Sequence, residues 1–192
     1  MKAHYIKSYT VTKKDCDFSS KLKIILDRDF NPKAPNQVWC TDITYIWTHN
    51  DGFVYLNCIM DPYSRKIIVW TLSKIEILEY IKIAKRIRKT ANLVIIQSDR
   101  GVHYVSNRHK KLIAGLTYSY FRKGNPWDNA CIESYHSLIK REWLNKFKII
   151  DYSHAYNLIF EYLERFYNTV RIHSHCNYLS PNVYEGNYQS AN

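Results

Sequence analysis

Three runs rich in β-branched and aromatic residues follow one another between residues 38 and 72, and an Asp-Gly turn joins the first two. Residues 38–47 read as a strand. Asn50-Asp51-Gly52 is a hairpin signal, 53–59 is the return strand ending at Asp61-Pro62, and 65–72 is a third strand. Strands joined this closely run antiparallel. The pattern then changes. Over about residues 74–90, Ile77, Leu78, Ile81, Ala84 and Ile87 recur at helical steps, with Lys82, Lys85, Arg86, Arg88 and Lys89 opposite them. Leu93-Val94-Ile95-Ile96 is a short buried strand. A helix near 107–114, a short strand at 117–121 and helices at about 129–144 and 153–168 follow, the last with Ile159, Leu163 and Phe166 inward. This order predicts an α/β fold: a mixed five-stranded sheet, three antiparallel strands and then strands alternating with helices, with helices on both faces.

A chain of 192 residues fits one domain with a sizeable core. Residues 1–30 are basic and weakly patterned and read as an arm. The proline-punctuated stretch Asn31-Pro32-Lys33-Ala34-Pro35 opens a core domain over 31–188, and 189–192 form a tail. The formal net charge of +11 points to a polyanionic partner, most simply nucleic acid. No apolar run reaches the length of a membrane span. Five cysteines with no CxxC pair argue for a reducing compartment and against a structural zinc site.

Three carboxylates interrupt the scaffold. Asp42 lies within the first strand, where a buried, unpaired charge is costly. Asp99 follows the Leu93 strand and precedes Arg100-Gly101. Glu133 lies in the second turn of the helix after Gly124-Asn125-Pro126-Trp127. Singly, each has an ordinary reading: a strand-edge aspartate facing solvent, a turn cap, a solvated helix residue. Jointly, three carboxylates on rigid elements suit magnesium, which prefers oxygen ligands and keeps several waters. Phosphodiester chemistry commonly uses two such ions.

The motifs around these acids resemble the integrase catalytic core of insertion-sequence transposases of the IS-three family, OrfB type, within the retroviral-integrase, RNase H-like superfamily. Val38-Trp39-Cys40-Thr41-Asp42-Ile43-Thr44-Tyr45-Ile46 resembles the first aspartate strand. Gln97-Ser98-Asp99-Arg100-Gly101-Val102-His103-Tyr104 resembles the second motif, with Gln97 where the family usually has histidine. Arg122-Lys123-Gly124-Asn125-Pro126-Trp127-Asp128-Asn129-Ala130 through Glu133 resembles the glutamate motif. Tyr167-Asn168 with Arg171, His173, Tyr178, Ser180 and Pro181 resembles the C-terminal signature.

The resemblance implies that Asp42, Asp99 and Glu133 are the catalytic, metal-binding triad. It implies Mg2+ as cofactor, with Mn2+ able to substitute, and metal-dependent DNA cleavage and strand transfer as the reaction. Lys140 lies seven residues after Glu133, on the same helix face, where it can meet a DNA phosphate. Arg100, His103, Lys123, Trp127 and Arg171 are expected DNA contacts. Expected partners are the element's terminal repeats, target DNA, further copies of the chain and an upstream helix-turn-helix protein or fusion partner; no membrane is expected. The expected location is the bacterial cytoplasm, at the nucleoid. Two rivals are a DNA-binding transposase remnant without activity and a tyrosine recombinase. The second would need a His-x-x-Arg motif, which does not occur.

Overall fold

An aromatic, β-branched strand in the middle of a sheet needs cover on both faces, and this chain supplies it from two directions. The computed structural model describes residues 32–74, 80–89, 94–98, 117–120 and 130–191. β1 (Val38–Thr48) pairs antiparallel with β2 (Gly52–Asp61), from Cys40↔Met60 to Thr48↔Gly52. Gly52 takes φ +73 in the turn, a backbone state that a side chain disfavours. β2 pairs antiparallel with β3 (Lys66–Ser73). β4 (Ile95–Ser98) lies parallel to β1, and the short β5 (Thr117–Tyr120) lies parallel to β4 at the edge. The order β3-β2-β1-β4-β5 makes the sheet mixed, as three hairpin-linked strands followed by alternating elements require.

Period-two alternation divides the strands between two cores. Trp39, Ile59, Val69 and Ile96 pack with Tyr80, Ile81 and Ala84 of α1 (Tyr80–Arg88). Cys40, Ile46, Val54, Leu56 and Cys58 pack on the opposite side. There they meet Ile132, Tyr135 and Ile139 of α2 (Ala130–Glu142) and Ala155, Leu158 and Ile159 of α3 (Tyr152–Phe160). Asp151 caps α3, accepting from the His154 N–H at 2.9 Å. Ile87, expected on the buried stripe of α1, instead lines an open cleft with Ile68 and Asn182 one turn beyond Ala84.

The helix expected over 153–168 changes pitch. After α3 the chain winds as a π-helix over Glu161–Tyr167, with Asn168 N–H donating to Leu163 C=O at 3.2 Å. The wider turn advances the buried face by one position. Tyr167 therefore goes in and Phe166, expected inward, is 41% exposed. The shift also brings Asn168 against β3. Its carboxamide accepts from Ile67 N–H and donates to Ile67 C=O, both at 3.0 Å, satisfying both backbone groups of one residue on an edge strand.

A last helix, α4 (Pro181–Ala191), carries the fold past residue 188, where the sequence reading ended the core. Its Glu185 is buried, accepts from Arg88 Nη2 at 3.0 Å and Ser64 Oγ at 2.9 Å, and lies 3.6 Å from Lys66 Nζ. The arm at 1–30 and the helix expected near 107–114 lie outside the described residues.

Candidate active site

β1 loses its β4 neighbour just where its carboxylate appears. The last pair between them is Cys40↔Gln97, and Asp42 follows two residues later on the face that carries α2. Its side chain is 21% exposed, so one side looks into protein and the other toward solvent. Cys58 is its cross-strand partner. Burial pushes the thiols of Cys40 and Cys58 well above the usual cysteine range, which makes them packing groups rather than ligands or nucleophiles.

α2 crosses over this point. His136 Nδ1 lies 3.3 Å from Asp42 Oδ2, and the His136 side chain is nearly buried. Its other nitrogen, Nε2, is buried without a hydrogen-bond partner. The tautomer with its proton on Nδ1 uses the carboxylate contact and leaves only a lone pair unsatisfied; the other would bury an N–H with no acceptor. Glu133 lies one helical turn before His136 and Lys140 one turn after it, within a narrow sector of the helix. Glu133 is exposed and sits in the first turn of α2, not the second as the sequence suggested. Lys140 is half-buried. Burial holds its ammonium below the usual lysine range, while the nearby Asp42 carboxylate pulls the other way.

α2 thus brings His136, which sequence reasoning passed over, and Lys140 to Asp42, and carries Glu133 on the same face of the helix. The signal was present: His136 stands at the helical step between Glu133 and Lys140, on their face. Asp99, Arg100, His103, Lys123 and Trp127 lie outside the described residues. β4 ends at Ser98, one residue beyond the pair with Cys40. Among the described residues no three His, Cys, Asp or Glu side chains form a metal cluster. The donors here, a partly exposed strand carboxylate and an exposed carboxylate one helical turn before His136, are hard oxygen ligands of the kind magnesium takes.

Arg171, an expected DNA contact, pairs within the protein. Its Nε and Nη2 donate to Glu142 Oε2 and Oε1 at 2.9 and 2.7 Å, and Nη1 donates to Ile172 C=O at 3.2 Å. His173 packs beside it; burial, then Arg171 and Arg65, hold its pKa down at about 4. Tyr167 donates to Arg65 C=O at 3.0 Å, and Cys176 is buried against Ser64 C=O. The C-terminal signature is therefore a clasp that fixes the β2–β3 turn and α2. Asp61 accepts from the N–H groups of Asn36 at 2.8 Å and Tyr63 at 3.0 Å. The Arg65 guanidinium goes to the Cys131 sulfur and to His175 Nδ1.

Comparison with known proteins gives a consistent picture. Residues 32–126 and 114–181 match two models described as Integrase core domain. The chain is 36% identical over 168 residues to the transposase for insertion sequence element IS904 of Lactococcus lactis subsp. lactis (strain IL1403), covering 84% of this chain and 66% of that protein. It is 34% identical over 167 residues to transposase InsF for insertion sequence IS3A of Escherichia coli (strain K12), covering 84% and 58%. The chain thus spans about two thirds of these relatives or less. Among solved structures, it is similar to a chain of the simian T-cell lymphotropic virus intasome complexed with a PP2A regulatory subunit. That match has a TM-score of 0.65 at 18% identity and covers 81% of this chain and 56% of that one. It is also similar to the HTLV-2 integrase catalytic core domain in complex with magnesium (TM-score 0.59, 15% identity, 81% and 99% covered). The catalytic domain of Mos1 mariner transposase matches with a TM-score of 0.57 at 12% identity, covering 81% and 76%.

Proposed function

Because the chain belongs to the integrase core domain family, we propose that it is the catalytic core of a metal-dependent DNA strand transferase that moves an insertion sequence. The observation that carries the reading is the meeting of Asp42 on β1 with the Glu133–His136–Lys140 face of α2. A phosphodiester substrate needs two things here: oxygen ligands for cations, and a positive group for the flanking phosphate. The two elements supply both.

Asp42, Asp99 and Glu133 are the residues that would hold Mg2+, and Mn2+ should serve in its place. Bound there, the ions supply positive charge against the reacting phosphate oxygens. Asp99 directly follows β4, which runs parallel beside the Asp42 strand; this supports its inclusion. His136 fixes the orientation of the Asp42 carboxylate from behind. Lys140 binds a phosphate next to the reacting one. Arg100, His103, Lys123 and Trp127 are proposed further DNA contacts, in segments flanking the site in sequence. The reaction is in-line attack, first by water at the element's end and then by the freed 3′-hydroxyl on target DNA. Positioning contributes much of the rate in such reactions.

Sequence discrimination needs an element placed in a groove. We assign it to a helix-turn-helix partner or fused segment, consistent with the third or more of the relatives' length that this chain does not span. Assembly of several copies on DNA belongs to the same reading, and so does action in the bacterial cytoplasm. No helix among the described residues is long and apolar enough to cross a membrane.

The test is strand transfer on oligonucleotides carrying the element's ends, with and without Mg2+. Asp42→Asn, Asp99→Asn and Glu133→Gln should each abolish cleavage and joining while circular dichroism stays unchanged. Near-normal transfer by any one variant would remove that residue from the triad. Transfer that persists in chelator would overturn the metal-dependent reading.

A further inference from the structure

Among the described residues, one face of the sheet carries no helix near its hairpin end. α1 covers Trp39, Ile59 and Val69, but farther along the same face Tyr45, Trp47 and Phe53 are 55%, 58% and 58% exposed. These rings form a contiguous edge-to-face cluster, with interplanar angles of 80° for Tyr45–Phe53 and 72° for Trp47–Phe53, so each ring offers its own face rather than a shared one. Trp47 and Phe53 are cross-strand partners with ring centroids 4.9 Å apart, and Tyr45 lies 6.3 Å from Phe53 and 5.3 Å from Tyr55. Exposed aromatic side chains in such a row are unusual, because burying them removes a large apolar area from water.

The cluster is one wall of a groove of about 530 Å³. The rest of the lining comes from the last turn of α2, with Lys140, and from the segment after it, with Asn145 and Lys148; Ile46 also lines the groove. Among the described residues, none that lines the groove is acidic. The groove is held in shape: His49 N–H and Asn50 N–H donate to Ile149 and Ile150 C=O at 3.0 and 2.8 Å, tying the hairpin to the segment after α2. It also continues into the candidate active site. Lys140 belongs to both; Asp42 lies three residues before Tyr45 on the same strand, about 10 Å along it and on the opposite face, so Lys140 carries the connection around the strand's edge. Beyond Cys40, β1 has no strand partner on its β4 side among the described residues, so the groove passes over an open edge.

Aromatic faces and lysines in one groove, with no carboxylate among its described lining residues, are the chemistry of single-stranded nucleic acid binding. Bases stack on rings and phosphates meet the ammonium groups. We propose that this groove holds the unpaired nucleotides beside the scissile phosphate, with a base on a ring face of the Trp47–Phe53 pair and backbone phosphates on Lys140 and Lys148. The proposal rests on the strand-transfer reading and adds to it a substrate preference: DNA whose end is unpaired, over blunt duplex.

The experiment compares two fluorescent duplexes of identical length in metal-free binding titrations with the 192-residue chain. One has a blunt end and the other three unpaired terminal nucleotides. The wild type should bind the unpaired end more tightly. Trp47→Ala and Phe53→Ala, both at exposed positions, should each weaken that binding by about 5- to 100-fold, and leave blunt-end binding within about twofold. Trp47→Phe should keep most of the preference. Lys148→Ala should weaken both duplexes and reduce the salt slope by about one unit. If the wild type nicks DNA with Mg2+ but Trp47→Ala and Phe53→Ala bind unpaired ends as it does, the groove assignment is wrong and the transferase reading stands. If the wild type neither nicks nor binds DNA, the transferase reading itself fails. Loss of self-association in sedimentation by Trp47→Ala, with unchanged affinity for the unpaired end, would overturn the proposal and make this face a contact between copies.

Discussion

His136 Nδ1 stands 3.3 Å from Asp42 Oδ2, so a helix and a central strand meet through an imidazole and a carboxylate at the point where chemistry is expected. A carboxylate free to rotate would present its oxygens to a cation in many orientations. One held from behind presents fewer, and removing an outer-shell partner of this kind typically costs about 10- to 100-fold in metal affinity or activity. His136→Ala should raise the Mg2+ concentration for half-maximal cleavage by about that factor. His136→Asn, which keeps a donor, should recover part of the loss. A metal requirement unchanged in His136→Ala would reduce the contact to packing.

Lys140 is expected to contact phosphate. Lys140→Ala should weaken binding of cognate and scrambled DNA alike and lower the slope of log affinity against log salt by about one unit. Lys140→Arg should retain the slope. Competition binding at several salt concentrations is the check. A slope equal to the wild type's would place Lys140 outside the contact set.

Asp61 gives a pH signature. Fully buried, its carboxyl is pushed up to about 6 by desolvation, against the pull of two backbone N–H donors and Arg88. The unfolded group titrates near 3.8. The folded form therefore takes up a proton more readily, and Asp61 costs stability as pH rises from about 4 through 6. By linkage the difference is about 3 kcal/mol. Urea unfolding of wild type and Asp61→Asn at pH 4.5 and 7.5 isolates it. The wild type should gain on the variant at the lower pH. An equal gap at both values would contradict the assignment.

Glu185 closes a buried ion pair with Arg88. Arg88 and Lys66, with the Ser64 hydroxyl, hold its carboxyl below the usual glutamate range despite burial. Glu185→Ala leaves the Arg88 guanidinium without its carboxylate and should destabilise the fold by about 3–5 kcal/mol. The double substitution Arg88→Met with Glu185→Leu should regain most of that, since well-packed apolar pairs often replace buried ions without loss. Thermal unfolding of the three proteins measures both. Equal midpoints for Glu185→Ala and wild type would show that the pair contributes nothing.

Strands were legible because their signal is local. Alternation in 38–48, the Asp-Gly turn and the apolar run before Ser98 each determine structure within a few residues. The candidate site was legible in part for a similar reason: acids on strands and at helix starts stand out against an apolar pattern. His136 did not stand out, because a histidine on a helix reads as ordinary until the strand beneath it is known. Phe166 and Tyr167 exchanged places because a π-turn is set by contacts with β3, not by periodicity. The pairing of Arg171 with Glu142 was not legible, because Glu142 lies on another element and charge alone does not reveal pairing. Glu185 and α4 were missed because the helix's apolar face is weak and its anchor is an ion pair to a distant segment.

The Asn168 carboxamide, pairing with Ile67 across about a hundred residues, bears on how the chain matures on the ribosome. Contacts this distant in sequence form late, after loop-closure entropy has been met. A nascent chain that has already emerged through β4 has its hairpins but lacks this late contact on the edge strand, and Arg88 still lacks its counter-ion. Until residue 185 has left the exit tunnel, the edge of β3 lacks its late contact while the aromatic hairpin, exposed in the finished fold as well, lies on the same sheet, and that interval is when the chain is most open to aggregation.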